Sequence, residues 1–286
     1  KLKDILKNKL YISSILLKRL KCSKAIFVND SLTFVNYNVK ENDKVMIDLA
    51  LIEYNNKFMD KFKLVNAPLD ILYEDEYLLV VNKPNNMPVH PSCDNYENTL
   101  ANIVANYLKK QKIYNIHIIT RLDKNTTGIC IFAKNEYIQE LFIRKKDIIN
   151  LKKEYLAICY GIINTKHNII EKNITRKPNT IILREVNEIG DFAKTEYFVK
   201  KINYERNYTV VNIILHTGRT HQIRVHMSYI NHPLLGDDLY ADENINICNY
   251  INRQALHAIK VTFNHPITNK YIEIVSNPPN DLKKLI

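Results

Sequence analysis

The chain has no tryptophan and only five glycines among 286 residues. Its five cysteines, Cys22, Cys93, Cys130, Cys159 and Cys248, stand singly, with no CxxC pair. A zinc site or a disulfide framework needs thiols at short, repeated spacing, so both are excluded and a reducing, cytoplasmic setting is expected. The glycine-rich signatures GxxxxGK[ST] and GxGxxG, whose backbone cradles phosphate, are absent, so no nucleotide cofactor is expected. No run approaches the ~18 consecutive apolar residues of a membrane span. No signal-peptide pattern is evident. The chain begins on Lys1 rather than Met, and a few native residues are expected before it. Acidic residues are the scarcer charge, 30 against 41 basic, for a formal charge of +11. That excess serves either solubility or a polyanionic partner such as nucleic acid, and the clustering of the basic residues decides.

Other chemistries lack their ligands. There is no GxSxG, and no cysteine carries a local hydrolase signature. No carboxylate pair stands out as the two that glycoside hydrolysis requires. His216, His221 and His226 are five apart, which puts them on different faces of a helix rather than on one metal-binding edge. They are expected to be hydrogen-bonded or surface histidines, and no metal is expected.

What is present is a globular composition, 46% hydrophobic and 25% charged, long enough for one large domain and a small one. Residues 1–49 read as the small unit. Leu2, Ile5, Leu6 and Leu10 recur at helical spacing, and Ser13 or Ser14 offers an N-cap for a second helix that buries Leu16, Leu17 and Leu20. Lys18, Arg19, Lys21 and Lys24 fall on or just beyond that helix, as a solvated face or as a nucleic-acid contact. Residues 50–68 read as a linker. From residue 69 to 286, strand-like segments dominate: "YLLVVNKP", "GICIFAK", "KEYLAICYG", a hairpin turning near Glu205–Asn207, "ALHAIKVTFNHP" and "KYIEIVS". Short turns join them, which predicts an α+β domain with a mixed, mostly antiparallel sheet.

Two segments carry the chemical interest. In "HIITRLDKNTTGICIFAKN", Asp123 follows Arg121 and opens a polar turn ending at Gly128. Locally it reads as a turn carboxylate. In "HTGRTHQIRVHM", Thr220 is expected to cap a helix running to about Ile230, with Ile223, Met227 and Ile230 as its core stripe. Arg224 lies one turn inside. Its side chain leans toward the helix N-terminus, within reach of a carboxylate there, or else is solvated.

The segments "LYEDEYLLVVNKPNNMPVHPS", "RLDKNTTGICIFAKN", "KKEYLAICYG", "GRTHQIRVHM", "HPLLGDDLY" and "RQALHAIKVTFNHP", in this order over about residues 71–275, resemble the RluA family of RNA pseudouridine synthases. Residues 1–49 similarly resemble the small RNA-binding module first described in the fourth protein of the small ribosomal subunit, which the RluC and RluD branch carries. The resemblance implies the pseudouridine synthase fold with a central RNA cleft. It implies Asp123 as the catalytic residue, Arg121 in flipping or holding the target nucleotide, Tyr155 packed on the base, and Arg224 paired with the catalytic carboxylate. Lys18, Arg19, Lys21 and Lys24 then become phosphate contacts, which position RNA without reading its sequence. This chain departs from the family at three places: Thr120 stands for the usual His, Thr127 for Ser, and Asn86 for Gly.

The expected reaction breaks the N1–C1′ bond of a uridine and joins C1′ to C5 of the same uracil, with no redox partner or group donor. The expected substrate is large-subunit ribosomal RNA, or else transfer RNA, acted on by a monomer. Whether Asp123 attacks the sugar, adds to the base or removes a ribose proton stays open. The alternatives are a non-catalytic RNA-binding or ribosome-assembly factor and a nucleoside hydrolase.

Overall fold

The computed structural model describes residues 1–52, 63–91, 97–113, 115–242 and 250–286. Cys93, Cys248 and most of the expected linker (53–62) lie outside the described residues.

The first unit has two helices, α1 (Leu2–Asn8) and α2 (Ser14–Cys22). Ser13 is the N-cap of α2, its side chain accepting the Leu16 N–H at 2.9 Å. Strands β1 (Ile26–Val28) and β2 (Ser31–Leu32) are joined by Asn29 and Asp30, with φ of 50° and 63°. A two-residue hairpin turn of this hand needs two left-handed residues, and Asn and Asp tolerate that conformation best. β3 (Val45–Ile47) pairs on the other side of β1. Leu2, Leu6, Leu16, Leu20 and Ile26 make a hydrophobic cluster of their own.

The second unit is built on a ten-stranded sheet. In chain order it contains β4 (Ile71–Glu74), β5 (Leu78–Lys83), helix α3 (Leu100–Lys110), β6 (His117–Ile118) and β7 (Thr127–Ala133). Next come helices α4 (Glu136–Arg144) and α5 (Lys146–Ile149), then β8 (Lys152–Tyr160) and β9 (His167–Glu171). A separate two-stranded ribbon follows, β10 (Ile174–Arg176) with β11 (Arg184–Val186). The hairpin β12 (Lys194–Asn203) and β13 (Tyr208–Leu215), α6 (Gln222–Tyr229), β14 (Leu256–Asn264), β15 (Tyr271–Val275) and α7 (Asn280–Lys283) complete it. The sheet order is β4-β5-β7-β14-β8-β13-β12-β9, with β15 on β14 and β6 on β7. β7 with β14 is the one parallel pair among these strands. The mostly antiparallel α+β sheet expected from the strand pattern is present.

β7 is buried along its whole length because both faces are covered. Cys130 and Phe132 meet Val104 and Leu108 of α3, while Ile129 and Ile131 share a cluster with Ile138 and Leu141 of α4. The period-two alternation of a strand assigns the residues to the two faces. The first unit rests on α4: Tyr137 donates to the Leu10 carbonyl at 2.9 Å, and Glu140 accepts the Ser13 N–H at 3.1 Å. No helix among the described residues is long and apolar enough to cross a membrane.

Candidate active site

The turn at residues 123–126 is fixed atom by atom. The Thr126 N–H returns to the Asp123 carbonyl at 3.1 Å. The Lys124 carbonyl accepts from the Met87 N–H at 3.1 Å and from Lys83 Nζ at 2.8 Å. Lys83 is fully buried and gives its other protons to the carbonyls of Pro84 and Met87. Burial pulls its ammonium down to about 8, yet either protonation state retains a donor for this junction. The Asn125 carbonyl accepts from Arg253 at 3.1 Å, and Arg253 grips Asp281 of α7 with two nitrogens, at 2.7 and 3.1 Å. Thr126 Oγ1 accepts from Gln254 at 3.2 Å, and Thr127 Oγ1 lies 2.9 Å from His257 Nδ1.

Gly128 ends the turn at φ +108°, and a Cβ there would lie 2.3 Å from the Ala258 carbonyl oxygen. Only glycine lets β7 approach β14 this closely, which is how their short parallel contact forms. Asn86, where the family carries Gly, has φ 55°. The position does demand a left-handed residue, and Asn supplies one. Thr120 is buried, and its hydroxyl accepts the Ile131 N–H at 2.9 Å, so it ties the approach to the turn onto β7.

Helix α6 brings the opposing charge. It begins at Gln222, with His221 as N-cap in the left-handed region (φ 55°) and no side-chain cap. The expected cap at Thr220 is therefore corrected. Gln222 Oε1 accepts from the Arg219 N–H at 3.0 Å and from Thr217 Oγ1 at 2.8 Å, which secures the entry without a threonine cap. Ile223 and Met227 face the core, and Arg224 is buried with them rather than solvated. Its Nε and Nη2 hold Asp237 at 2.8 and 2.6 Å, and Nη2 also reaches Asp238 at 3.2 Å. Asp237 is fully buried and accepts the N–H groups of Leu239 and Tyr240. Burial opposes the Arg224 charge, but the carboxylates of Asp237, Asp123 and Asp238 outweigh it and hold the guanidinium above its ordinary value. Its remaining nitrogen, Nη1, lies 3.5 Å from Asp123 Oδ2.

Asp123 and Arg224 open onto a cavity of about 250 Å³, whose walls also include Arg121, Lys153, Tyr155 and His221. That is below the roughly 300–1,000 Å³ of pockets for drug-sized ligands, and suits one planar base better than a larger ligand. Tyr155 comes from β8 and is buried, which pushes its phenol up, so it stays a neutral ring with an O–H. His221 Nε2 is 3.9 Å from Asp123 Oδ1, and Nδ1 is 2.9 Å from the Tyr240 hydroxyl. Burial holds His221 below its usual value, against the pull of Asp123. His216 pairs with Glu196 at 2.8 Å, and buried His226 bonds Thr195 and the Lys172 carbonyl.

Four residues singled out in the sequence thus meet in one cavity: Arg121, Asp123, Tyr155 and Arg224. Lys18, Lys21 and Lys24 are exposed on the first unit and are not among its walls. Arg19 there is ion-paired with Glu136 of α4 at 2.5 Å. Sequence reasoning misses Lys83, Asp237, Arg253 and His257, although "NKP", "GDDLY" and "RQALHA" contain them.

The family described as RNA pseudouridylate synthase matches residues 77–229. The chain is 35% identical to the uncharacterized RNA pseudouridine synthase YhcT of Bacillus subtilis, over 99% of this chain and 91% of that protein. It is 36% identical to the ribosomal large subunit pseudouridine synthase D of Haemophilus influenzae, over 79% of this chain and 72% of that one. Among solved structures, human RNA pseudouridylate synthase domain containing 1 shares the fold, with a TM-score of 0.60 at 24% identity over 74% of this chain and 84% of that one.

Proposed function

The chain belongs to the RNA pseudouridylate synthase family and is an RNA pseudouridine synthase; from that premise we propose that it isomerises uridines of large-subunit ribosomal RNA, with Asp123 as its catalytic carboxylate. One observation carries the assignment. Arg224 is held by Asp237 through two nitrogens and turns its third toward Asp123, which is the carboxylate open to the cavity. The guanidinium is a fixed cation beside the group that must act as an anion, and its own position does not depend on that group.

The other walls have matching tasks in this reading. Removing a base from its stack costs a few kcal/mol, which pocket contacts must offset. The Tyr155 ring packs against the uracil, and exposed Arg121 holds the flipped nucleotide at the mouth. Residues 1–49 act as an RNA-holding domain through Lys18, Lys21 and Lys24, and residues 69–286 as the catalytic domain. Arg19, engaged with Glu136, contributes to RNA binding only by exchanging that partner for a phosphate. The choice of large-subunit RNA is supported by relatives named for that substrate.

The test uses transcripts of large-subunit ribosomal RNA and transfer RNA, mapped for carbodiimide-stable uridine adducts. The wild type is expected to form pseudouridine in the ribosomal transcript. Asp123→Asn is expected to bind the same RNA with unchanged affinity and to form none. Near-normal turnover by the variant would overturn Asp123, modification of transfer RNA alone would overturn the substrate, and release of free uracil would mean hydrolysis.

A further inference from the structure

Arg176 and Arg184 are register partners across the β10–β11 ribbon. Like charges at directly opposed positions destabilise an antiparallel pair. The intervening pair, Thr175 and Glu185, falls on the other face by strand alternation, so the ribbon's own acid does not separate the two. Neither arginine forms an ion pair among the described residues. Arg184 instead directs Nη1 to the carbonyls of Ile181, Ile182 and Leu183 at 3.3, 3.2 and 3.0 Å, which fixes its guanidinium over the hairpin tip.

Two further arginines face the same groove. Arg219 donates Nε to the Phe192 carbonyl at 3.0 Å and lies 3.4 Å from Asp191. That contact depends on the loop before β12 folding against β10. Gly190 permits it, because a Cβ there would be 2.5 Å from the Ile174 carbonyl carbon. Arg121 forms the far wall and has no ion-pair partner among the described residues. Four guanidiniums therefore line a groove with Asp191 as its acid. The groove is continuous with the catalytic cavity, since Arg121, Gly218 and Arg219 belong to both. Ile189, 88% exposed, stands on its lip.

We propose that this groove binds the phosphodiester backbone flanking the target uridine, with Arg176 and Arg184 sharing one phosphate. The proposal rests on reading the adjoining cavity as the uridine pocket. A phosphate between the two guanidiniums replaces their repulsion with charge-assisted hydrogen bonds, and a planar fork matches phosphate oxygens. The nucleotide whose base enters the cavity past Arg121 has its neighbouring phosphates along the groove. Exposed Ile189 offers apolar surface to a ribose or base edge. The ribbon and Arg219 thus set the path of the strand, and the cavity receives the base.

The test measures affinity for a single-stranded, uridine-containing RNA against salt concentration, together with kcat and KM on a ribosomal RNA fragment. Arg176→Gln with Arg184→Gln is expected to lower the salt slope by about 0.7, the share of one phosphate, and Arg176→Gln alone by part of that. KM is expected to rise roughly tenfold in the double variant, with kcat little changed, because phosphate contacts position without taking part in the bond exchange. Lys270→Gln, in the exposed turn before β15, is expected to leave KM and slope near wild type. Arg176 is exposed, and its side chain has no hydrogen bond or ion pair among the described residues, so its single variant reads the groove even if the double variant is unstable. A salt slope and KM unchanged in Arg176→Gln would overturn the groove. If the wild type forms no pseudouridine yet shows the groove-dependent slope, the groove stands and the uridine pocket falls. Pseudouridine formation with a groove-independent slope would leave the pocket standing and overturn the groove.

Discussion

Arg224 and Arg253, beneath the cleft, each grip an aspartate with two nitrogens, whereas Arg176 and Arg184 on its rim are register partners and neither has an ion-pair partner among the described residues. The same side chain serves two purposes, and burial decides which. A guanidinium taken out of water must find its partners within the protein, or the structure loses several kcal/mol. Water supplies the partners at the rim, so charge there can stay unmatched until a ligand arrives. The floor cations are therefore committed to shape: Arg224 stands beside Asp123 because Asp237 holds it, and Arg253 fixes the Asn125 carbonyl because Asp281 holds it. The rim cations, without a carboxylate to hold them, are the ones proposed to take phosphate.

The comparison breaks most severely if a floor partner is removed. Asp237→Leu leaves Arg224 buried without its main carboxylate and is expected to cost about 3–5 kcal/mol, read by urea denaturation. A cost within the range of a surface pair would mean that Arg224 is less confined than its burial indicates.

Acid provides the next test, because burial also shifts histidines of β6, α6 and β14. Burial holds His117, His226 and His257 below their usual values, His117 at about 4. A depressed histidine binds fewer protons folded than unfolded. Its contribution is complete above about 6.5 and is lost as pH falls toward about 4. For His117 the loss is on the order of 3 kcal/mol. Melting temperature against pH is expected to fall through this window, and His117→Gln to flatten the fall.

The smallest effect is expected on the surface between the two units. Arg19 and Glu136 are partly exposed, and such pairs contribute about 0.2–1 kcal/mol. Arg19→Ala is expected to lower the unfolding free energy within that range, read by urea denaturation. Lys18→Gln combined with Lys21→Gln, by contrast, is expected to lower the salt slope of RNA binding by about 1.4 while leaving stability unchanged.

Local signals in the chain hold where local physics decides. Ser13 caps α2, Asn29–Asp30 turns the first hairpin, and the alternating runs of β12 and β13 form strands around the polar turn. Thr220 is an exception for an instructive reason. Threonine is an ordinary cap, but the helix starts one residue later, at His221 in the left-handed region, and the Gln222 side chain ties down the preceding loop at Thr217 and Arg219. Arg224 could equally face water on its local pattern, because helical spacing places it on a face without saying what covers that face. Lys83, Asp237 and Arg253 escape a sequence reading for the opposite reason. Charged letters suggest a surface, and nothing nearby in the chain shows that carbonyls and carboxylates from distant segments will surround them.

The sequence by itself determined the class of fold, the candidate carboxylate in its polar turn, and the ordered segments that carry a family likeness. Strand alternation, capping side chains and turn residues act over a few positions, so they are written where they operate. Only the tertiary structure decided that residues 121, 155 and 224 line one cavity with Asp123, and that Arg176 meets Arg184 beside it. These arrangements join segments up to about a hundred residues apart, and they follow from sheet register and from the demand that every buried charge be matched.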